Sequence, residues 1–130
     1  MAGDVEIVRA ALRAYVDHDV PRVLETLDPD VELYPVRAVL EGTPYTGHEG
    51  FRRFIADMSE DWREFTIDAD EVRDLGAGRV LVAGRFRGQG ASGVEVDTPA
   101  VWVCEVRDGR IVRLRFYADE AAALAALGSP

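Results

Sequence analysis

The chain contains no lysine: all fifteen of its basic residues are arginine, set against 24 acidic residues for a net charge of −9. Phosphate backbones repel such a surface, so nucleic acid is not an expected partner. The uniform use of arginine reads as a compositional bias, not as fifteen phosphate clamps. Cysteine occurs once, at Cys104, which excludes a disulfide within the chain and any multi-cysteine zinc site. Histidine occurs only at His18 and His48, with no His-x-x-x-His spacing, so no metal or cofactor is expected. No apolar run approaches the ~20 residues that span a bilayer, so no membrane partner is expected. The opening MAGDVEIVRAAL lacks a basic segment followed by an apolar core, so the cytoplasm is the expected location. A dinucleotide fingerprint, a P-loop and a nucleophile elbow are all missing, which argues against nucleotide-dependent and serine-hydrolase chemistry.

What is present fits one globular domain spanning 1–130. The 130 residues are 48% hydrophobic and 30% charged, enough for a real core. The clearest signal is the stretch from Gly93 to Tyr117, in which two alternating runs flank Asp108-Gly109, a dipeptide suited to the positive φ angles of a tight hairpin turn. Ala100, Trp102, Cys104 and Val106 share one face of the first run; Val101, Val103, Glu105 and Arg107 share the other. In the second run Val112, Leu114 and Phe116 are expected on the apolar face, and Ile111, Arg113, Arg115 and Tyr117 on the mixed one.

Taken in order, Val5, Val8, Leu12, Tyr15 and Val16 make a helical stripe from Asp4 to Asp17, with Asp4 as N-cap. Asp19 caps a second short helix with Pro21 in its first turn, and Asp28-Pro29-Asp30 ends it. A short strand runs from Val31 to Tyr34. Val36 to Gly47 reads as a loop. A third helix, from about His48 to Trp62, carries the stripe Phe51, Phe54, Ile55, Met58 and Trp62. Strands follow at Phe65–Leu75 and Arg79–Gly88, joined by Gly76-Ala77-Gly78. Gly88 to Gly93 is read as a turn. Asp119 caps a last Ala-rich helix that Gly128 stops. Helices first, then long antiparallel strands, predict an α+β fold with helices on one face of a curved antiparallel sheet. Gly84 and Gly88 suit the bends that curl it.

This order, with the segments PDVELYP, GTPYTGHEGFRRFIADM and VWVCEVRDGRIVRLRFYAD, resembles the SnoaL-like branch of the nuclear-transport-factor-2-like superfamily. The resemblance covers nearly the whole chain and implies a cone-shaped, cystatin-like α+β barrel with a pocket at its open end. It also implies a homodimer through the sheet. Relatives of this kind include polyketide cyclases, ketosteroid isomerases, epoxide hydrolases and dehydratases, and members with no known activity. Their catalytic residues are not matched here. Where ketosteroid isomerases place a base before a proline on the first strand, this chain has Tyr34 before Pro35. Where they place a first-helix tyrosine, it has Ala11, with Tyr15 one turn later. Their late-strand acid falls among Ala100, Trp102 and Cys104, and the acid of the polyketide cyclases falls at Phe116.

Each candidate residue has two readings. Tyr34 is a proton donor at the pocket mouth or a strand tyrosine with its ring in the core. Glu32, on the same strand face, is a buried general base if that face looks inward and a surface acid if it does not. Tyr34 with Glu32 is the best available catalytic pair. Tyr15, Phe54, Met58, Trp62, Trp102 and Phe116 are expected to line an apolar ligand site continuous with the core. His48 is either a neutral-pH base of that site or, at a helix start, a structural group. His18 is read as a surface residue and Cys104 as a small buried hydrophobe. Arg85, Arg87, Arg113 and Arg115, with Glu105, lie on the outer sheet face, where a second copy or solvent would meet them. Three functions remain open: a cofactor-free isomerase, cyclase or hydrolase acting on a small apolar molecule, a noncatalytic carrier of one, and a dimeric interaction domain.

Overall fold

The computed structural model describes residues 3–128, apart from the side chain of Arg37. Met1 and Ala2, which begin the segment read for a secretory signal, lie outside the described residues. Helix α1 spans Asp4–Val16 and α2 spans Val20–Thr26. Gly3, not Asp4, takes the N-cap position of α1. At α2 the expected cap holds: the backbone N–H of Arg22 donates to Asp19 Oδ1 at 3.2 Å. Strand β1 (Leu27–Tyr34) follows directly.

The segment after β1 is not a plain loop. Val36–Glu41 forms helix α3 and Tyr45–Thr46 forms strand β2. Pro35 sits extended at the N-cap, where its missing N–H is harmless, and Gly42 ends the helix in the left-handed region at φ 77°. Ala38 anchors α3 in the interior. Helix α4 spans Gly47–Asp61, and its next residue, Trp62, opens β3 (Trp62–Gly76). Strands β4 (Arg79–Gly90), β5 (Glu95–Arg107) and β6 (Arg110–Tyr117) complete one sheet, and α5 (Glu120–Ala126) closes the chain. The turn expected from Gly88 is therefore displaced, because β4 continues to Gly90. Asp119 caps α5 as expected, accepting from the N–H of Ala122 at 2.8 Å.

The sheet order is β2-β1-β6-β5-β4-β3. It is antiparallel except where β1 runs parallel to β6, a departure from the purely antiparallel sheet expected. The Asp108-Gly109 turn has φ angles of 53° and 77°, as a primed hairpin turn requires. One expected face changes. Glu105 pairs Arg113 but Val106 pairs Ile111, so β6 holds one extra residue, Val112, between them. That bulge turns Ile111 inward, where it is 1% exposed, in place of Val112.

Two apolar layers result. The inner face of the sheet packs Val80, Val82, Trp102, Cys104 and Ile111 against α1, α2 and α4. On the outer face, Leu81, Val101 and Val103 are covered by Ala123 of α5. Both faces of β5 are thus buried along Val101–Cys104, which explains its nearly continuous apolar run. The helices and the curled sheet together make the cone-shaped α+β fold.

Candidate functional site

The cone is hollow. Its inner end encloses a cavity of about 110 Å³ between α1, α4 and the sheet, with Leu12, Phe54, Leu33, Trp102 and Leu114 among its walls. Among the described residues, no charged side chain lines it. A wider, open cavity of about 950 Å³ lies between the ends of α1 and α4 and strands β3, β4 and β5. Tyr15, Val23 and Phe51 line both, so the two adjoin at those residues. The mouth is polar: His18, Asp19, Arg63, Glu64, Arg87 and Gln89 contribute to its wall, with Trp62 and Phe65.

Tyr15 stands at the junction. Its ring lies 6.2 Å from that of Phe65, tilted by 51°. Burial pushes its phenol above the ordinary tyrosine range, so the hydroxyl stays protonated. Among the described residues the hydroxyl has no hydrogen-bond partner. A phenol so placed can donate one bond to an uncharged or anionic atom in the cavity. Deeper in, the Cys104 thiol lines the inner cavity, and burial pushes it up to about 12. Such a thiol is inert as a nucleophile at neutral pH. At the mouth, Asp97 accepts from Arg85 Nε, and this bond holds its carboxyl below the usual range. Among the described residues no group of three or more His, Cys, Asp or Glu side chains could hold a metal ion.

A family model described as the SnoaL-like domain matches residues 8–114. The chain belongs to that family. The matched span includes the first helix, the aromatic helix and the hairpin that form the cavity. Solved structures agree with this fold. An NTF2-like protein of unknown function from Burkholderia pseudomallei is 26% identical, with a TM-score of 0.81 over 96% of this chain and 97% of that one. An uncharacterised cystatin-fold protein from Novosphingobium aromaticivorans is 20% identical, with a TM-score of 0.75 over 90% and 99% of the two chains. TerC, co-crystallised with polyporic acid, is 23% identical, with a TM-score of 0.79 over 94% and 95%. Among curated proteins none matches. Among the described residues of this SnoaL-like domain, no helix is long and apolar enough to cross a membrane.

The expected catalytic pair is not in the cavity. Val31 and Leu33 point inward, so Glu32 and Tyr34 stand on the opposite, outer face of β1. Glu32 is exposed, and the Tyr34 ring lies 5.0 Å from the Arg113 guanidinium and 5.2 Å from that of Arg115. The physical reason is the period of a strand: once two aliphatics are buried, the residues between them must face away. Of the expected ligand wall, Tyr15, Phe54, Trp62 and Trp102 do line the hollow. Met58 and Phe116 do not, although Phe116 is on the inner face, 6.4 Å from Trp102. His48 also lies outside it: its Nε2 is 2.9 Å from the Leu27 carbonyl oxygen and ties the start of α4 to β1.

Three mouth residues escaped the sequence reading. His18, read as a surface residue, follows α1 at φ 56° and meets the Phe65 ring edge-on at 6.2 Å. A helix-ending residue between two aspartates gave no sign of a cavity. Glu64 and Gln89 sit in strands whose pairing, not their local pattern, brings them to the mouth.

Proposed function

We propose that this SnoaL-like domain binds a small ring-containing molecule in its cone. The observation that carries the reading is the pairing of an uncharged inner cavity with a wide polar mouth, joined at Tyr15, whose hydroxyl has no hydrogen-bond partner among the described residues. An apolar cavity of roughly 150 Å³ accepts a benzene ring, and the inner cavity, at about 110 Å³, is of comparable size. The ring fills the inner end, Tyr15 donates to a polar atom beside it, and the rest of the molecule occupies the mouth. TerC, co-crystallised with polyporic acid, shares the fold, and this chain's own cavity supports the same broad use.

Binding, more than catalysis, is what these residues support. Among the described residues, neither a carboxylate nor a histidine lines the inner cavity, and its phenol and thiol both stay protonated. General acid–base work there would lack a base. Titration calorimetry with 2-naphthol tests the reading. Saturable one-to-one binding is expected, weakened about fivefold by Tyr15→Phe, the worth of one hydrogen bond, and lost in Ala11→Leu, which fills the inner cavity. Absence of binding at millimolar naphthol, or full affinity in Ala11→Leu, would overturn it.

We also infer that a second copy of the chain docks on the outer sheet face. Arg79, Arg85 and Arg87 each meet a carboxylate there, but Arg113 and Arg115 stack on Tyr34 and, among the described residues, have no acidic partner. Glu32 and Glu105 flank Arg113 in the strand register. Acids and spare guanidinium groups on one patch are self-complementary across a two-fold axis. Light scattering should give a dimer for the native chain and a monomer for Arg115→Glu; a native monomer would refute the inference.

A further inference from the structure

Helix α1 ends on an unusual residue. The N–H of Asp19 donates to the Ala14 carbonyl at 2.9 Å, and that of His18 to the Tyr15 carbonyl at 3.1 Å. This paired closure puts the residue before Asp19 in the left-handed region, a position that glycine fills by default. Helices α3 and α5 follow that rule, ending on Gly42 at φ 77° and Gly128 at φ 87°. Helix α1 has His18 there, at φ 56°. A Cβ strains the backbone in this region, and strain held beside a cavity points to a use for the side chain.

The imidazole is aimed at the hollow. It meets Phe65 at 6.2 Å and 89°, and Tyr15 approaches the same Phe65 ring, also at 6.2 Å. Phe65 faces inward, paired with Gly88, against which the Trp62 indole lies. Glu64, Arg87 and Gln89 alternate with Phe65 and Gly88, so they face the other side of the sheet and reach the cavity only at its rim. The other polar groups of the wall nearest the helices are engaged. The Ser59 hydroxyl donates to the Ile55 carbonyl at 2.8 Å, and Asp19 accepts the N–H of Arg22. Arg63 Nη2 donates to the Ala91 carbonyl at 3.4 Å. The His18 imidazole has no hydrogen-bond partner among the described residues.

Building on the ring-binding reading, we propose that His18 is a specificity-determining residue that selects ring-bearing ligands with a second hydroxyl group. The ligand class is an aromatic diol, whose first oxygen meets Tyr15 at the junction and whose second meets the imidazole at the mouth. Both side chains border the Phe65 ring, so one flat molecule lying across that ring reaches both. A neutral imidazole has one N–H donor and one bare nitrogen acceptor, so it pairs with a hydroxyl in either sense. The backbone bonds that close α1 hold Tyr15 and His18 together, which fixes their spacing before a ligand arrives.

Titration calorimetry with 2-naphthol and 2,7-dihydroxynaphthalene tests this. A symmetric diol gains about twofold because either oxygen can meet Tyr15, and one further hydrogen bond is worth about fivefold, so the native chain should bind the diol about tenfold more tightly than 2-naphthol. The readout is that ratio, which cancels any general loss of affinity in a variant. His18→Gly, a substitution that suits the left-handed backbone, should bring the ratio down to about two, the symmetry advantage alone. A native ratio of about two, or a ratio near ten that survives His18→Gly, would overturn the role of His18 while leaving ring binding intact. Failure of both probes to bind the native chain would overturn both.

Discussion

The indole of Trp62 lies against the bare Cα of Gly88. A Cβ built at that glycine would come 2.7 Å from Cε3 and 2.9 Å from Cζ3 of the ring. Phe86 meets the same indole edge-on at 5.0 Å. The pair sets one wall of the mouth, since Trp62 and Gly88 both line it. Gly88→Ala should push the indole into the cavity. The expected cost is about 1–2 kcal/mol, typical of overpacking, with a shift in tryptophan emission. Unchanged emission and stability would mean the indole swings clear of the new methyl group.

Gly84 is more tightly constrained. A Cβ there would come 1.9 Å from the backbone oxygen of Asp68 and 2.9 Å from the Cα of Ala69. These are backbone atoms of the neighbouring strand, beside the irregularity between Ala69 and Glu71 that bends the sheet. No side-chain rotation relieves the clash. Gly84→Ala should cost at least ~3 kcal/mol in urea denaturation, the upper end for overpacking. A loss below 1 kcal/mol would show that the bend tolerates a methyl group.

Cys104 supplies a reporter of the inner cavity. With its thiol pushed up to about 12 and its side chain buried, the thiolate fraction at pH 8 is on the order of one in ten thousand. Reaction with a thiol-specific disulfide reagent at pH 8 should be more than ~100-fold slower in the native protein than in urea. Saturating 2-naphthol should slow it further. A native rate near the unfolded one would mean that the inner end is open to solvent.

The Asp97 carboxyl is held below the usual range, first by its hydrogen bond from Arg85 and then by the charges of Arg85 and Arg87. A carboxyl lowered in this way stabilises the fold above the ordinary carboxylate pKa. That contribution disappears as pH falls through the lowered value. Arg85→Gln should therefore raise the Asp97 titration midpoint in a carbon-detected NMR titration and weaken the acid-side pH dependence of stability. An unmoved midpoint would assign the shift to Arg87.

Local chemistry determined much of this protein. The Asp19 and Asp119 caps, the Asp108-Gly109 turn, the stripe of α4 and the alternation of β5 are each encoded within a few residues, because hydrogen-bond reach and side-chain period are local properties. Phe54, Trp62 and Trp102 were legible as cavity wall on those grounds. The sense of β1 was not. A four-residue strand has the same period whichever face is buried, and only packing of Val31 and Leu33 on the helices turned Glu32 and Tyr34 outward. Ile111 exchanged faces with Val112 because of a bulge defined by its partner strand. Neither the parallel pairing of β1 with β6 nor the meeting of Tyr15 with Phe65 exists in any one segment. Periodicity fixes what alternates along a strand; tertiary contact decides which side is inside and which distant residues meet there.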